Sequence, residues 1–318
     1  MADGVRPSIP RRQVLGSDVR LSALTVSVDP PLVAPPAADD RMVALLRRAR
    51  TRGVATFDVA TARFPPRAER LIARAFPDPD PEISAIVVRS VDSLARERTP
   101  DDQPVAAENP ESALALSLDR SRRRLDPVPV SIVEWEVEPL RPNEDQSGGT
   151  GGVPSIPLPS GTLWALRLLP GVAGLPKETP SPPLFSGPLS LLEPGLVAGF
   201  EDETTPQNTS LIARDPFGSG RLDGSRFASR AGLSGPTAGP VDVRRLHEEF
   251  DPVLRLGFLT EHHRRTLAQA ALQFVLHWGW VATVVVPLPD PERFDEVLGF
   301  GTQAPISPEE LARLGFVK

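Results

Sequence analysis

The stretch LAQAALQFVLHWGWVATVVVPLPDPERFDEVL, residues 267–298, contains a helix, a strand and a second helix in close succession. Residues 267–277 form an apolar helix pattern. Residues 281–286 form a short valine-rich run, which is typical of a strand buried on both faces. Residues 291–298 carry the spacing of apolar residues that an amphipathic helix requires. A buried strand between two helices predicts a parallel sheet that is covered by helices.

The same alternation of strands and helices begins near the N-terminus. The predicted strands of the first half are residues 19–28, 54–59, 83–88 and 129–136, and the predicted helices are residues 40–52, 66–76 and 110–125. In the second half we predict a strand at residues 210–214 and a capped helix that begins after Ser307. Four successive strands joined by three helices predict right-handed crossovers in one parallel sheet. The 318 residues are sufficient for a single α/β barrel, which usually needs roughly 250 residues.

The alternation is interrupted in the middle of the chain. Residues 142–160 are rich in Gly, Ser and Pro and have no periodicity, which predicts a flexible insertion. Residues 170–188 are rich in proline, so we expect the fifth strand–helix unit to be degenerate. The predicted organisation is an N-terminal tail at residues 1–12 followed by one barrel at residues 13–318.

Composition excludes several classes of function. The chain has no cysteine, which excludes disulfides and thiolate chemistry, and its net charge of −6 argues against a nucleic-acid-binding surface. The four histidines lack the spacing of a metal site. Polar residues and a proline interrupt the longest apolar stretch, and no leader pattern is present, so we expect a cytoplasmic protein without a membrane span. The excess of arginine over lysine, together with 38 prolines, indicates a bacterial-like high-GC genome.

Five stretches resemble the aldo-keto reductase family, in the order in which that family has them. They are residues 53–60 (GVATFDVA), 69–72 (ERLI), 117–125, 210–224 (SLIARDPFGSGRLDG) and 267–298. The resemblance covers roughly residues 12–318 and is weakest between about 140 and 190. It implies a (β/α)8 TIM barrel and, for a member that keeps the family activity, NADPH-dependent oxidoreductase chemistry.

The residues at the family's catalytic positions differ from those of the family. Aldo-keto reductases transfer a hydride from a nicotinamide to a carbonyl while a tyrosine, activated by a lysine–aspartate pair, donates a proton and a histidine orients the substrate. The resemblance places Asp58 at the aspartate, Arg63 at the tyrosine, Arg89 or Ser90 at the lysine, and Glu134 at the histidine. Arginine gives up no proton at working pH, and the chain contains no tyrosine at all. We expect Asp58 and Arg89 to form an ion pair in place of the lysine–aspartate contact.

The positions at which the family binds its cofactor are equally altered. They correspond to Ser27, Ser186, Asp215, Ser219 and Arg293. Asp215 would place a negative charge where a pyrophosphate lies in the family, which is unfavourable for binding. Of these five residues, only Arg293 carries a positive charge that could face a phosphate. The sequence therefore predicts that no nicotinamide cofactor binds.

We accordingly expect a catalytically degenerate aldo-keto-reductase-like barrel, a pseudoenzyme, that acts as a binding, regulatory or structural subunit with an unidentified protein partner. One alternative is a repurposed lyase or isomerase that uses Glu134 and Asp58 as acid and base. Another is a divergent NAD(P)H-dependent aldo-keto reductase. An open polar mouth of the barrel would favour an enzyme, and a mouth filled by its own side chains would favour the first hypothesis.

Overall fold

Eight parallel strands close into a barrel in the computed structural model, with the order β10-β3-β4-β5-β6-β7-β8-β9. The strands are β3 (Leu24–Ser27), β4 (Thr56–Asp58), β5 (Ser84–Ser90), β6 (Val130–Glu136), β7 (Leu163–Arg167), β8 (Leu184–Pro188), β9 (Ser210–Arg214) and β10 (Val281–Pro287). The structure describes residues 9–30, 36–59, 65–90, 110–136, 156–168, 175, 183–226, 250–261, 265–287 and 291–316. The predicted (β/α)8 fold is confirmed by this closed parallel sheet.

Helices surround the barrel and bury one face against it. They are α1 (Pro36–Thr51), α2 (Pro65–Ala75), α3 (Pro110–Leu125), α4 (Leu196–Phe200), α5 (Phe258–Glu261), α6 (Leu267–His277), α7 (Pro291–Leu298) and α8 (Pro308–Arg313), with a 3₁₀ turn at Phe300–Thr302. Two of the starts are fixed by capping boxes: Thr266 and Gln269 exchange hydrogen bonds at α6, and Ser307 and Glu310 do so at α8. Within the described residues, no helix has the length and apolar character needed to cross a membrane.

An N-terminal hairpin closes the floor of the barrel, where the strands begin. Its strands, β1 (Arg11–Gln13) and β2 (Arg20–Ser22), pair antiparallel. Val14 and Leu21 pack among apolar side chains that point to the barrel axis, such as Ile86 and Ile132. The Arg12 guanidinium donates to the carbonyls of Leu276, Trp278 and Val281 and so ties the hairpin to the start of β10. Arg11 and Arg12, which the sequence analysis assigned to the tail, therefore lie in this hairpin.

The middle of the chain contains two strands that its sequence did not make recognisable. Strand β7 follows the insertion, and β8 lies inside the proline-rich segment. Phe185 of β8 is fully buried, and the strand pairs with β7 and β9, so tertiary pairing stabilises a segment that local signals disfavour. Gly187 permits close packing here, since a Cβ atom would lie 3.1 Å from side-chain atoms of Leu168 and of Leu196. The predicted insertion lies largely outside the described residues, which resume at Ile156.

Candidate mouth site

Four strands place polar side chains inside the barrel at its mouth, where the strands end. Side chains alternate along each strand, so Asp58 (β4), Glu134 (β6), Ser186 (β8) and Arg214 (β9) share the inward face with apolar residues two positions earlier on β6, β8 and β9. In this fold, the carboxyl ends of the strands are where functional residues collect. Asp58 and Glu134 have no exposed surface, and Arg214 is 7% exposed.

The guanidinium of Arg214 connects these side chains into one network. Its Nη2 donates to Oδ1 of Asp58 at 2.7 Å, and its Nη1 donates to Oδ2 of Asp58 at 3.3 Å. Its Nε donates to both carboxylate oxygens of Glu134 at 3.2 Å and to Oγ of Ser186 at 2.8 Å. A single planar group with several fixed donors thus binds two carboxylates, which the single ammonium of a lysine could not do with the same geometry.

The charges of this network fix the protonation state of Arg214. Burial alone would lower the pKa of the Arg214 guanidinium, but the negative charges of Asp58 and Glu134 and their hydrogen bonds raise that pKa above its usual value. Arg214 is therefore charged at every accessible pH and cannot serve as a proton donor. Nη1 of Arg167 lies 3.9 Å from Oε2 of Glu134 and brings a second positive charge to the pair of carboxylates.

A cavity of about 500 Å³ lies at the mouth, with Arg214 in its wall. Carboxylates of Asp29, Asp215 and Asp223 line it, as do Arg167 and Ser27. The cavity is open, and its accessible lining is more apolar than polar. The acid–base candidates Asp58 and Glu134 are not among its lining residues. At the mouth, side chains thus fill the barrel interior beneath an open cavity whose wall contains both charged and apolar residues.

The loop after β9 uses an internal carboxylate to satisfy its own donors. Asp215 and Ser219 both adopt positive φ, 50° and 57°, which is uncommon for residues other than glycine. Oδ1 and Oδ2 of Asp215 accept the backbone N–H of Ser219 at 2.7 and 2.9 Å. Although Asp215 is exposed at the mouth, loss of solvation raises the pKa of its carboxyl, and the bonds from Ser219 oppose that effect. An N–H group that could bind a ligand anion is therefore already occupied.

The structure brings together some of the predicted site residues and separates others. Asp58, Glu134 and Ser186 meet at Arg214, whereas Ser27 and Asp215 line the cavity. The guanidinium of Arg293 contacts Asp223, with Nη1 3.7 Å from Oδ2. Asp58 pairs with Arg214, and the expected pair between Asp58 and Arg89 concerns a side chain outside the described residues.

Three of the predicted positions cannot be compared with the structure. Arg63 and the side chains of Arg89 and Ser90 lie outside the described residues. The sequence predicts Arg214 or Asp215 as a further residue of the mouth, but it does not identify the partners of Arg214. Its position at the end of a strand was predictable, but its partners are 156 and 80 residues away in the chain. In the part of the chain that the structure describes, no group of His, Asp and Glu side chains could hold a metal ion.

Several solved structures with a similar fold are aldo-keto reductases. The chain is similar to an aldo-keto reductase from Bacillus halodurans in its holo form, with a TM-score of 0.63 and 16% identity over 96% of this chain and 95% of that one. It is also similar to a thermostable aldo-keto reductase in complex with the inhibitor epalrestat, with a TM-score of 0.60, 17% identity and coverage of 96% and 98%. A third similar structure is a glycerol dehydrogenase from Gluconobacter oxydans, with a TM-score of 0.60 and 12% identity over 96% of this chain and 94% of that one.

Sequence comparison gives no such relatives. No protein-family model matches the chain, and no curated protein matches it in sequence. The structural similarity at this level of identity establishes the fold alone: the chain forms an aldo-keto-reductase-like (β/α)8 barrel.

Proposed function

We propose that this chain is a redox-inactive barrel that binds a ligand or partner and acts as a binding, regulatory or structural subunit. The observation that carries the proposal is the position of Arg214, which engages Asp58 and Glu134 together at the end of the barrel where catalytic groups of this fold lie. Carbonyl reduction needs a proton donor beside the substrate, and a permanently charged guanidinium supplies none.

The residues around the cavity do not fit a nicotinamide dinucleotide. A pyrophosphate requires N–H donors and positive charge, but Asp29, Asp215 and Asp223 present carboxylates to the cavity. The N–H of Ser219 is taken by Asp215, and Arg293 is directed to Asp223. We therefore derive no hydride transfer for this chain.

The same network argues against a lyase or isomerase that uses Glu134 and Asp58. A general acid or base must reach the proton that it transfers, and both carboxylates are fully buried beneath Arg214. A substrate would have to displace the guanidinium before it touched either group. The network therefore supports a structural role for these two residues.

Binding within the barrel is better supported than docking through an apolar surface. Among the described residues, the large apolar side chains that are exposed are Leu116 and Leu254, which lie on different helical segments. Single exposed residues of this kind are normal on a protein surface. The cavity at the mouth, which has both charged and apolar residues in its wall, offers a more specific place for a ligand.

A titration with NADPH and NADH tests the proposal, with heat and nicotinamide fluorescence measured together. We expect neither signal at millimolar cofactor, and no consumption of NADPH in the presence of aldehydes or ketones. Micromolar binding would contradict the proposal and restore a reductase as the better hypothesis. The variant Asp215→Ser frees the N–H of Ser219, so binding by this variant alone would identify the carboxylate as the excluding group.

A further inference from the structure

A second cleft, of about 730 Å³, lies at the floor of the barrel. It is distant from the mouth site, because its walls are the segments that precede β5, β6 and β7 together with the end of the hairpin turn. Ligand sites in barrels of this kind normally lie at the opposite end. The polar groups in the walls of this cleft are what point to a ligand.

Ser84 places an unsatisfied hydroxyl in the cleft. It is the first residue of β5 and shares the inward face with Ile86, since Ala85 packs on the outer side of the strand. Ser84 is 7% exposed, and its Oγ has no hydrogen-bond partner in the part of the chain that the structure describes. A buried hydroxyl without a partner is unfavourable, so native proteins rarely keep one that has no role.

Arg11 adds a second unsatisfied donor to the same cleft. Its Nη2 donates to the carbonyl of Arg20 at 2.9 Å and to the carbonyl of Glu82 at 3.0 Å, which holds the guanidinium across the hairpin and the loop before β5. Its Nε is buried and has no partner among the described residues. The orientation of this N–H is therefore fixed before any ligand arrives, which lowers the entropic cost of binding.

Positive charge is available around these two donors. Arg20 and Arg122 line the cleft, and neither forms an ion pair with another described residue. Three carboxylates also line it, but Glu82 is paired with Arg50 at 2.7 Å and lies 3.9 Å from Nη1 of Arg11. Asp18, Asp126 and Arg20 are exposed, so solvent screens their charges, whereas Arg122 is half-buried.

We propose that this cleft binds a small oxyanion, a carboxylate or phosphate group of a metabolite. The ligand's oxygens would accept from Ser84 Oγ and Arg11 Nε and would be neutralised by Arg122. Guanidinium groups and hydroxyls together are the usual donors to such oxygens. This site is independent of the mouth, so it stands whether or not a nicotinamide cofactor binds there.

Calorimetric titration of the full chain with inorganic phosphate and, separately, with citrate tests this inference. We expect saturable binding of at least one of the two, and the better one identifies the class of oxyanion. The variants Ser84→Ala and Arg122→Gln should each weaken that binding by at least about tenfold, the loss of one charge-assisted hydrogen bond. Arg123→Gln is the matched control, because Arg123 lies next in α3, pairs with Asp119 at 2.7 Å and does not line the cleft.

Two results would overturn the proposal. Absence of binding of both probes at tens of millimolar would mean that water satisfies the two donors. Equal weakening by Arg123→Gln would mean that the anion binds the general positive surface of α3. Titration of the Arg122→Gln variant with NADPH distinguishes the oxyanion-site hypothesis from the proposed function. Arg122 does not line the mouth cavity, so this variant should respond to NADPH as the unmodified protein does.

Stability gives a second measurement on Ser84. If its hydroxyl lacks a partner in the ligand-free protein, Ser84→Ala removes an unsatisfied polar group, and the melting temperature should rise by about 1–2 °C while oxyanion binding falls. A lower melting temperature would show that the hydroxyl already has a partner. That result would contradict the proposal even if the variant bound the probe less well.

Discussion

Replacing Arg214 by methionine tests the network at the mouth most directly. The substitution keeps much of the apolar volume but removes five hydrogen bonds to two carboxylates that have no exposed surface. Removing one partner of a buried ion pair costs about 3–5 kcal/mol, because the remaining charge is buried without compensation. Arg167, 3.9 Å from Glu134, offsets part of this loss, whereas the structure gives Asp58 no other ion-pair partner among the described residues.

The free energy of unfolding, measured by urea denaturation, provides the assay. Arg221→Met is the control, since Arg221 lies 3.7 Å from the half-exposed Glu193, and exposed pairs contribute less than about 1 kcal/mol. The triple variant Arg214→Met, Asp58→Asn, Glu134→Gln should recover most of the stability that the single variant loses, because no uncompensated charge remains.

A loss below about 1 kcal/mol in Arg214→Met would refute this reasoning, since it would place the carboxylates in contact with water. A triple variant no more stable than the single one would also refute it. In that case the cost would come from lost packing or unsatisfied amides and not from charge. A cofactor titration on the triple variant then shows whether the network or the carboxylates of the cavity exclude the nicotinamide.

Further predictions concern packing, pH and helix capping. Gly187→Ala should lower the free energy of unfolding by about 1–3 kcal/mol through overpacking, because the added Cβ would lie 3.1 Å from two leucine side chains. Gly279→Ala is the control: no atom lies within 4 Å of its added Cβ, so the loss measured by urea denaturation should be far smaller. Burial acts to raise the pKa of Asp80, but the bonds from the N–H of Glu82 and from Arg50 lower it below its usual value. The ionised Asp80 carboxylate therefore stabilises the folded state at pH values above the usual pKa of aspartate, and this stabilisation is lost as the pH falls through the lowered pKa. We expect Asp80→Asn to reduce the decrease in the free energy of unfolding that is measured towards acidic pH. Ser307→Ala should lower the free energy of unfolding by about 1 kcal/mol, because it removes the N-cap of α8. A melting temperature equal to that of the unmodified protein would contradict this prediction.

The fold could be predicted where sequence pattern and tertiary environment agree. Helix α3 and strand β9 have the predicted bounds, Pro110–Leu125 and Ser210–Arg214, because apolar periodicity and flanking breakers mark both ends. Strand β8 was missed since its sequence, LFSGP, contains a glycine and a proline that local rules read as a loop. Pairing with two neighbours inside a closed barrel decides its conformation, and a single sequence does not contain that information.

The site could be predicted only as far as strand direction allows. Alternation along β4 and β6 places Asp58 and Glu134 inside the barrel, and the ends of strands place them at the mouth. The pairing of Asp58 with Arg214 depends on the tilt and stagger of strands that lie apart in the closed sheet, and a single sequence does not contain that information. The floor cleft gave no signal, because Ser84 and Arg11 are ordinary residues until their lack of partners is visible in three dimensions.

Arginine at position 214 explains how the barrel accommodates two buried carboxylates at its mouth and still folds. A buried carboxylate at the position of Asp58 needs a positive partner whether or not catalysis continues, since an unpaired one is costly. An ammonium can meet that need for one carboxylate, whereas the guanidinium reaches across the barrel and satisfies Glu134 as well. We interpret these bonds of Arg214 as stabilising the barrel, in agreement with the redox-inactive role proposed above.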